Sequence, residues 1–162
     1  MTELETNHTK YMKLAIQIAR EGIADGQTPF GACIVSGNNV VSTAHNTVWR
    51  EVDITAHAEV NAIRLACKAL NRVDLSDCVI YSTCEPCPMC FSAIHWARIP
   101  QVYHGASIED AKHYGFNEIP LSNHQLIHMG SLTGMTVVPD VLHSECISLF
   151  AEWEQSGLNN PY

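Results

Sequence analysis

Two short segments of the chain carry residue types that can bind a metal and move protons. His57 and Glu59 stand two residues apart, and Cys87 and Cys90 form a Cys-x-x-Cys pair directly after Pro86. One imidazole and two thiolates supply three ligands for a tetrahedral zinc and leave a fourth position for water, as in catalytic sites. Glu59 is not needed as a ligand, so it is the candidate general base toward that water. The pattern predicts zinc-assisted hydrolysis.

The predicted helix positions of these residues favour zinc binding. His57 lies near the start of one predicted helix, and Cys87 and Cys90 lie at the start of another. Free N–H groups and the positive dipole end of a helix lower the pKa of thiols at such positions. Because two thiolates neutralise Zn²⁺ and weaken its effect on water, a neighbouring carboxylate such as Glu59 becomes important.

Three other interpretations of the same residues remain open. A Cys-x-x-Cys pair at a helix start also occurs as a redox pair, but that interpretation leaves His57 and Glu59 unexplained. Cys84 as a fourth ligand would close the coordination and make the zinc structural. In the third interpretation the His and Cys residues are simply buried without a metal.

The composition predicts one ordered domain over residues 1–162. With 46% hydrophobic and 16% charged residues, a chain of this size buries about two-thirds of its unfolded surface. The net charge is −8 with His neutral, and no Lys/Arg run is present. A protein that grips nucleic acid needs a basic face, so the charge favours a small-molecule substrate and no nucleic-acid partner.

Cysteine usage and hydropathy indicate the compartment. Seven cysteines are an odd number and do not predict a disulfide framework, so we expect a reducing, cytoplasmic setting. Residues 1–6 are polar and acidic, unlike a signal or transit peptide. No apolar run approaches the roughly 20 residues that span a bilayer, so no membrane association is expected.

Hydrophobic periodicity and breakers predict alternating helices and strands. Helices are predicted over residues 7–24 (capped by Asn7 or Thr9), 56–70, 107–113 and 143–155, and from Pro86 or Pro88 to about 98. Strands are predicted over residues 31–36, 40–44, 78–82, 101–104 and 135–138. The hairpin turn at 37–39 makes the sheet mixed, with helices on both faces. Residues 46–55 and 117–134 are predicted loops, the second long enough to act as a lid, and 156–162 an irregular tail.

Six stretches of the sequence together resemble the cytidine deaminase superfamily of zinc nucleobase deaminases. They are TPFGA (28–32), AHN (44–46), TAHAEV (55–60), CEPCPMC (84–90), AIHWAR (93–98) and GF (115–116). Within the superfamily the chain is most similar to the small bacterial guanine deaminases, over about residues 11–116. The resemblance implies a three-layer α/β/α sandwich around a five-stranded mixed sheet, with one catalytic zinc per subunit. It also implies a homodimer in which a C-terminal segment, about residues 140–162, is exchanged between subunits.

The resemblance implies substrate contacts as well. Asn46 is expected to hydrogen-bond a purine base, Phe30 and Trp96 to line its two faces, and Tyr162 to cover it. Stacking on aromatic rings contributes about 1–3 kcal/mol per base. Ordinary core packing of Phe30 and Trp96, and a frayed terminus at Tyr162, are the alternatives.

The sequence departs from the family pattern after Gly115 and Phe116. Two aspartates usually follow there, and the second handles the amine of the substrate; here Asn117 and Glu118 take their places. Glu118 keeps a carboxylate that reaches one methylene further. It is expected to serve the amine, unless it is an exposed loop residue, as Glu normally is.

The predicted function is therefore hydrolysis of guanine to xanthine and ammonia. Glu59 moves a proton from water to a ring nitrogen, Glu59 or Glu118 protonates the leaving amine, and the backbone N–H of Ala58 supports the attacking oxygen. Guanosine, cytosine, a triazine or tRNA wobble adenosine remain as alternative substrates. The tRNA enzymes generally carry Val at the position of Phe30 and need basic surface. A zinc-stabilised interaction domain without activity is the non-enzyme alternative.

Overall fold

The fold is built on one five-stranded sheet in the order β2-β1-β3-β4-β5. β1 pairs antiparallel with β2 and β3, whereas β3, β4 and β5 run parallel. The elements of the computed structural model are α1 (Glu3–Ala24), β1 (Gly31–Ser36), β2 (Asn39–His45), α2 (Val48–Glu51), α3 (Ala58–Leu70), β3 (Cys78–Cys84), α4 (Pro88–Trp96), β4 (Gln101–Ala106), α5 (Ile108–His113), α6 (Asn123–Gly130), β5 (Thr136–Val138) and α7 (His143–Gln155).

The structure describes residues 3–157 and 160–162. Residues 1, 2, 158 and 159 lie outside the described residues. The first two belong to the start that is predicted to differ from a signal peptide, and the last two belong to the predicted irregular tail. Within the described part of the chain, no helix is both long enough and apolar enough to cross a membrane.

Helices cover both faces of the sheet. Adjacent residues of a strand point to opposite faces, and Tyr81 of β3 packs against Tyr11 of α1 while Ser82 hydrogen-bonds Glu59 of α3. α7 joins α1 through the ion pair between Arg20 and Glu152. The predicted mixed sheet with helices on both faces is therefore confirmed.

The parallel strands bring the chemically important segments to one edge of the sheet. β3 ends at Cys84 and β4 at Ala106, and the backbone N–H of Glu85 donates to the carbonyl of Ala106 at 2.8 Å. The residues after β3 include Cys87, directly before α4. Ligands of open α/β sheets bind at the carboxyl ends of parallel strands, and the candidate site lies there.

Small residues allow the layers on either side of the sheet to approach closely. A Cβ at Gly31 would lie 2.2 Å from the carbonyl oxygen of Ala15 in α1, so only glycine fits at the start of β1. The sheet-facing side of α3 carries Ala58, Ala62 and Ala66, all fully buried. This close packing holds the backbone in place at Gly31 and Ala58, and it thereby positions the site residues next to them.

Several element boundaries differ from the predictions. α1 begins at Glu3, so Asn7 and Thr9 are not its caps, and α3 begins at Ala58 with His57 as its N-cap. The predicted loop 46–55 contains the short helix α2, and the predicted loop 117–134 contains α6. α6 begins with a capping box between Ser122 and Gln125, a Ser-x-x-Gln signature that the sequence carries.

Candidate active site

The three predicted metal ligands converge at the carboxyl edge of the sheet. The ligand atoms of His57, Cys87 and Cys90 all lie within 4.8 Å of one another, and they form the candidate metal cluster among the described residues. His57 Nδ1 lies 3.7 Å from Cys87 Sγ and 3.5 Å from Cys90 Sγ. Zinc bonds of about 2.0 Å to nitrogen and 2.3 Å to sulfur at a tetrahedral angle require about 3.5 Å between N and S. The donor set therefore fits zinc.

The two thiols are prepared for metal binding in different ways. The pKa of Cys87 is lowered to about 4 because Cys90 and His57 hydrogen-bond its sulfur. The pKa of Cys90 is raised well above its ordinary value by the hydrogen bond with Cys87 and by burial. Cys87 is thus a thiolate at neutral pH, and a bound metal ion deprotonates a coordinating thiol such as Cys90 outright.

Cys84 does not complete a closed four-ligand site. Its buried Sγ contacts the carbonyl oxygen of Ser107 at 3.4 Å, and it is absent from the cluster formed by His57, Cys87 and Cys90 among the described residues. The interpretation of the zinc as a structural ion with four protein ligands is therefore wrong. Three protein ligands leave one coordination position open.

Glu59 lies beside the metal ligands at the start of α3. Its carboxyl group is buried, and Oε1 accepts a hydrogen bond from Ser82 Oγ at 2.9 Å. Burial, together with the negative charge of Cys87, raises the pKa of Glu59. Ala58, one residue earlier, is the first residue of α3, and N–H groups of a first helical turn have no partner within the helix. Glu59 can therefore carry a proton, and the neighbouring backbone N–H of Ala58 can donate a hydrogen bond.

A very small cavity lies between two of the metal ligands, His57 and Cys87, and both candidate catalytic carboxyl groups. Its volume is about 10 Å³, barely room for one water molecule. Glu59 and Glu118 both face this cavity, although they are far apart in sequence. Its lining residues are Phe30, His57, Glu59, Cys84, Glu85, Cys87 and Glu118.

Glu118 is a partly buried cavity residue and not an exposed loop carboxylate. Its Oε2 is buried without a hydrogen-bond partner. Burial, with the negative charges of Cys87 and Glu59, raises the pKa of Glu118 to about 8. At neutral pH this carboxyl group is mostly protonated, and a protonated carboxyl group can donate to an amine.

Asn46 and Tyr162 contact each other near His57. Asn46 is fully buried; its Oδ1 accepts from the backbone N–H of Val48 at 3.0 Å, and its Nδ2 donates to the hydroxyl of Tyr162. The Tyr162 hydroxyl also lies 3.5 Å from Thr28 Oγ1. The amide that was expected to bind a base is therefore occupied by a side chain of the same protein.

The ring of Tyr162 lies close to the metal ligand His57. Its centroid lies 5.5 Å from that of His57 and 5.9 Å from that of Phe116, the latter edge-on. Trp49 Nε1 donates to the carbonyl of Asn160 at 3.1 Å and holds the segment in place. Phe30, the predicted partner of the other base face, is buried with its ring 4.8 Å from Phe116.

Trp96 does not line the site of its own chain. It is the last residue of α4 and is 84% exposed. The cavity lining does not include it. The expectation that Trp96 covers one face of a base is therefore not met within a single chain, because Trp96 lies six residues after Cys90 on α4, about 1.7 turns along the helix and on another face.

Ser82 is a site residue that the sequence patterns do not reveal. It is 1% exposed and donates to Glu59, from a strand that periodicity shows only as an apolar run. Once Tyr81 is known to face α1, strand alternation places Ser82 on the opposite face of the sheet.

We expect Ser82→Ala to lower kcat because Glu59 loses the donor that orients its carboxyl group. A hydrogen bond to a charged group contributes about 1.5–3 kcal/mol, so the loss is roughly 10- to 100-fold. Steady-state kinetics with zinc content measured in parallel would check this. Ser82→Thr, which keeps the hydroxyl, is the control; equal rates for Ser82→Ala and the unmodified protein would refute the role.

Comparisons with known proteins agree with this geometry. Residues 5–106 match the cytidine and deoxycytidylate deaminase zinc-binding region. The chain is 46% identical to the guanine deaminase of Bacillus subtilis (strain 168) over 113 residues, 69% of this chain and 72% of that protein. It is 40% identical to the tRNA-specific adenosine deaminase of Aquifex aeolicus (strain VF5) over 122 residues, 72% of this chain and 80% of that protein. A solved guanine deaminase from Nitrosomonas europaea superposes with a TM-score of 0.84 at 26% identity, covering 91% of this chain and 84% of that one.

Proposed function

The chain belongs to the cytidine and deoxycytidylate deaminase family and is a zinc-dependent aminohydrolase, and we propose that its substrate is guanine. The reaction is guanine plus water to xanthine plus ammonia. The observation that carries the reaction is the convergence of Glu59 and Glu118 on one cavity beside His57 and Cys87, and the 46% identity to a guanine deaminase supports guanine as the base. A base that loses an amine needs one group to activate water and one to protonate the leaving nitrogen.

Bound zinc, held by His57, Cys87 and Cys90, would supply Lewis acidity and lower the pKa of water. Glu59 accepts the proton of the attacking water and transfers it to a ring nitrogen of the base. Its raised pKa allows the carboxyl group to hold that proton between the two transfers. The N–H of Ala58 supports the negative charge that develops on the attacking oxygen.

The second proton transfer serves the leaving amine. The water oxygen forms a bond to the ring carbon, the carbon–nitrogen bond breaks, and ammonia leaves after the amine gains a proton. The proton left on the new hydroxyl returns to the carboxyl group that protonated the amine, and the hydroxyl becomes the carbonyl of xanthine. Glu118, with its pKa of about 8, is protonated near neutral pH and faces the same cavity as Glu59. We assign this step to Glu118 or to Glu59.

The side chains around the cavity support a planar base as substrate. Phe30 offers an aromatic ring, and Asn46 offers an amide whose Nδ2 donates to Tyr162 in the closed site. The Tyr162 hydroxyl binds Nδ2 of Asn46 in the single chain, so Tyr162 has to move before a base takes that place. We propose that Asn46 then binds the base and Tyr162 closes over it.

We expect Tyr162→Ala to raise KM for guanine by about tenfold or more, because stacking on a base contributes about 1–3 kcal/mol. Tyr162→Phe keeps the ring and removes only the hydroxyl that binds Asn46, so its KM should be equal to or below that of the unmodified protein. Steady-state kinetics would check both variants. An unchanged KM in Tyr162→Ala would contradict the assignment.

The assembly and the compartment are also proposals. Trp96 is 84% exposed, and we propose a homodimer in which a second copy covers it. In the single chain Tyr162 lies over its own site, and exchange of residues 140–162 between subunits remains our proposal for the dimer. All seven cysteines are free, which supports the proposed cytoplasmic compartment. Guanine as substrate would make the protein an enzyme of purine metabolism. Sedimentation would give the oligomeric state.

An ammonia-release screen tests the substrate. Guanine, guanosine, adenine, adenosine, cytosine, cytidine and a triazine are compared with a tRNA that carries a wobble adenosine. We expect kcat/KM for guanine to exceed the others. Activity on cytosine without activity on guanine would overturn the substrate and leave the reaction class intact.

A tRNA substrate is the second candidate, because the Aquifex tRNA-specific adenosine deaminase is 40% identical over 122 residues. The net charge of −8 disfavours a phosphate-rich partner. Inosine formation in the tRNA arm of the screen would favour it. A zinc-stabilised domain without activity would release no ammonia from any arm.

A further inference from the structure

The segment that carries Glu118 has few contacts of its own. Ile119, the next residue, is 61% exposed, and Pro120 is exposed as well. Phe116, on the other side, is buried against Phe30 and Trp153. The position of Glu118 in the cavity therefore depends on how the two ends of residues 117–122 are held.

The far end of this segment is tied to the residues directly before the zinc ligand Cys87. Asn123, the first residue of α6, is fully buried. Its backbone N–H donates to Glu85 Oε1 at 2.7 Å, and its side-chain Nδ2 donates to the carbonyl of Pro86 at 2.6 Å. Two hydrogen bonds thus connect the end of the Glu118 segment to the turn that holds the metal ligands.

Glu85 connects a third segment to the same point. Its carboxyl group is buried, and Oε2 accepts from the backbone N–H of Ile108 at 3.4 Å, at the start of α5. A buried carboxylate is expensive unless hydrogen bonds compensate its desolvation. The capping boxes based on Ser107 and Ser122 leave the first N–H groups of α5 and α6 without a partner, and Glu85 accepts from both of them, so it ties the two helix starts to the ligand turn.

We propose that Glu85 and Asn123 are positioning residues that hold Glu118 at the correct place beside the zinc centre. The proposal rests on the proposed function, in the form that gives the leaving amine to Glu118 and not to Glu59. Asn123 acts on the reaction only through Glu118, which it holds relative to the ligand turn at Pro86 and Cys87. A displaced Glu118 would leave substrate binding at Asn46 and Phe30 intact and slow the proton transfer.

A double-mutant cycle with Glu118→Gln tests this positioning role. We expect Asn123→Ala to lower kcat roughly 10- to 100-fold, since a misplacement of about 1 Å can cost about 100-fold, with KM and zinc content retained. In the Glu118→Gln background the same substitution should change kcat by less than about twofold. His124→Ala, an exposed neighbour on α6, is the control and should match the unmodified protein.

A purely structural role of Asn123 predicts the same loss of kcat in both backgrounds, and that outcome would overturn the proposal. Hydrogen exchange of residues 117–122 gives a readout that needs no activity: Asn123→Ala and the milder Glu85→Gln should exchange faster there than His124→Ala. Unchanged exchange would also overturn it. If guanine is not deaminated, the substrate proposal fails. The double-mutant cycle is then run on the base that does release ammonia, and the exchange measurement is made in the same way.

Discussion

Replacing Glu59 with Gln is expected to abolish ammonia release and to leave one zinc per chain. The general base contributes about 10²- to 10⁴-fold to such reactions, and in the proposed mechanism the same carboxyl group serves both the water and the ring nitrogen. Gln keeps the size of the side chain and an oxygen that can accept from Ser82. Because a neutral amide replaces a buried carboxyl group, the folded state should not lose stability. Steady-state kinetics, zinc analysis and thermal unfolding would measure these three quantities.

The matched control for this substitution is Glu109→Gln. Glu109 lies on α5 with a side chain 65% exposed, paired with Lys112. Exposed ion pairs contribute little, about 0–1 kcal/mol, so this variant should retain full activity. Near-normal turnover in Glu59→Gln would show that another group activates the water, and the mechanism would have to be reassigned.

Zinc removal is expected to stop turnover completely, and zinc alone should restore it. The open fourth position between His57, Cys87 and Cys90 means that the ion contributes to the chemistry and not only to folding. Dialysis against a chelator, followed by kinetics and circular dichroism, separates the two effects. Loss of activity with the helical signal retained is the expected result, because the core of the sheet lies outside the cluster.

Two cysteine variants make the same prediction residue by residue. Cys90→Ser removes one of three ligands, so the protein should lose zinc and turnover together. Cys84→Ser removes a thiol that contacts the carbonyl of Ser107, and it should retain one zinc per chain. Zinc loss in Cys84→Ser would restore the four-ligand interpretation that the geometry excludes.

Local spacing allowed the zinc centre to be predicted, because its members lie within two short segments. His57 precedes Glu59 by two residues, and Cys87 and Cys90 occupy the start of one helix. Residues at such short separation have nearly fixed relative positions once the helix forms. The structure brings the two segments together at the ends of parallel strands, as the strand order requires.

The hydrogen bonds that support the site residues could not be predicted from sequence spacing. Ser82 and Glu59 are 23 residues apart, and Asn123 and Glu85 are 38 residues apart. Neither pair belongs to a motif, because the contacts arise only when β3, α3 and α6 pack together. The helix α6 itself was missed, since its Ser-x-x-Gln start is followed by a weak apolar pattern around His124 and His128.

The sequence by itself determined the reaction: three zinc ligands and Glu59 imply water activation, because ligand chemistry depends on residue type and short-range spacing. Only the tertiary structure decided which distant side chains share the cavity. It places Glu118 inside, sets Tyr162 on Asn46, and leaves Trp96 exposed. The physical reason is that burial and long-range contact depend on how the layers pack, which no local pattern of hydrophobicity encodes.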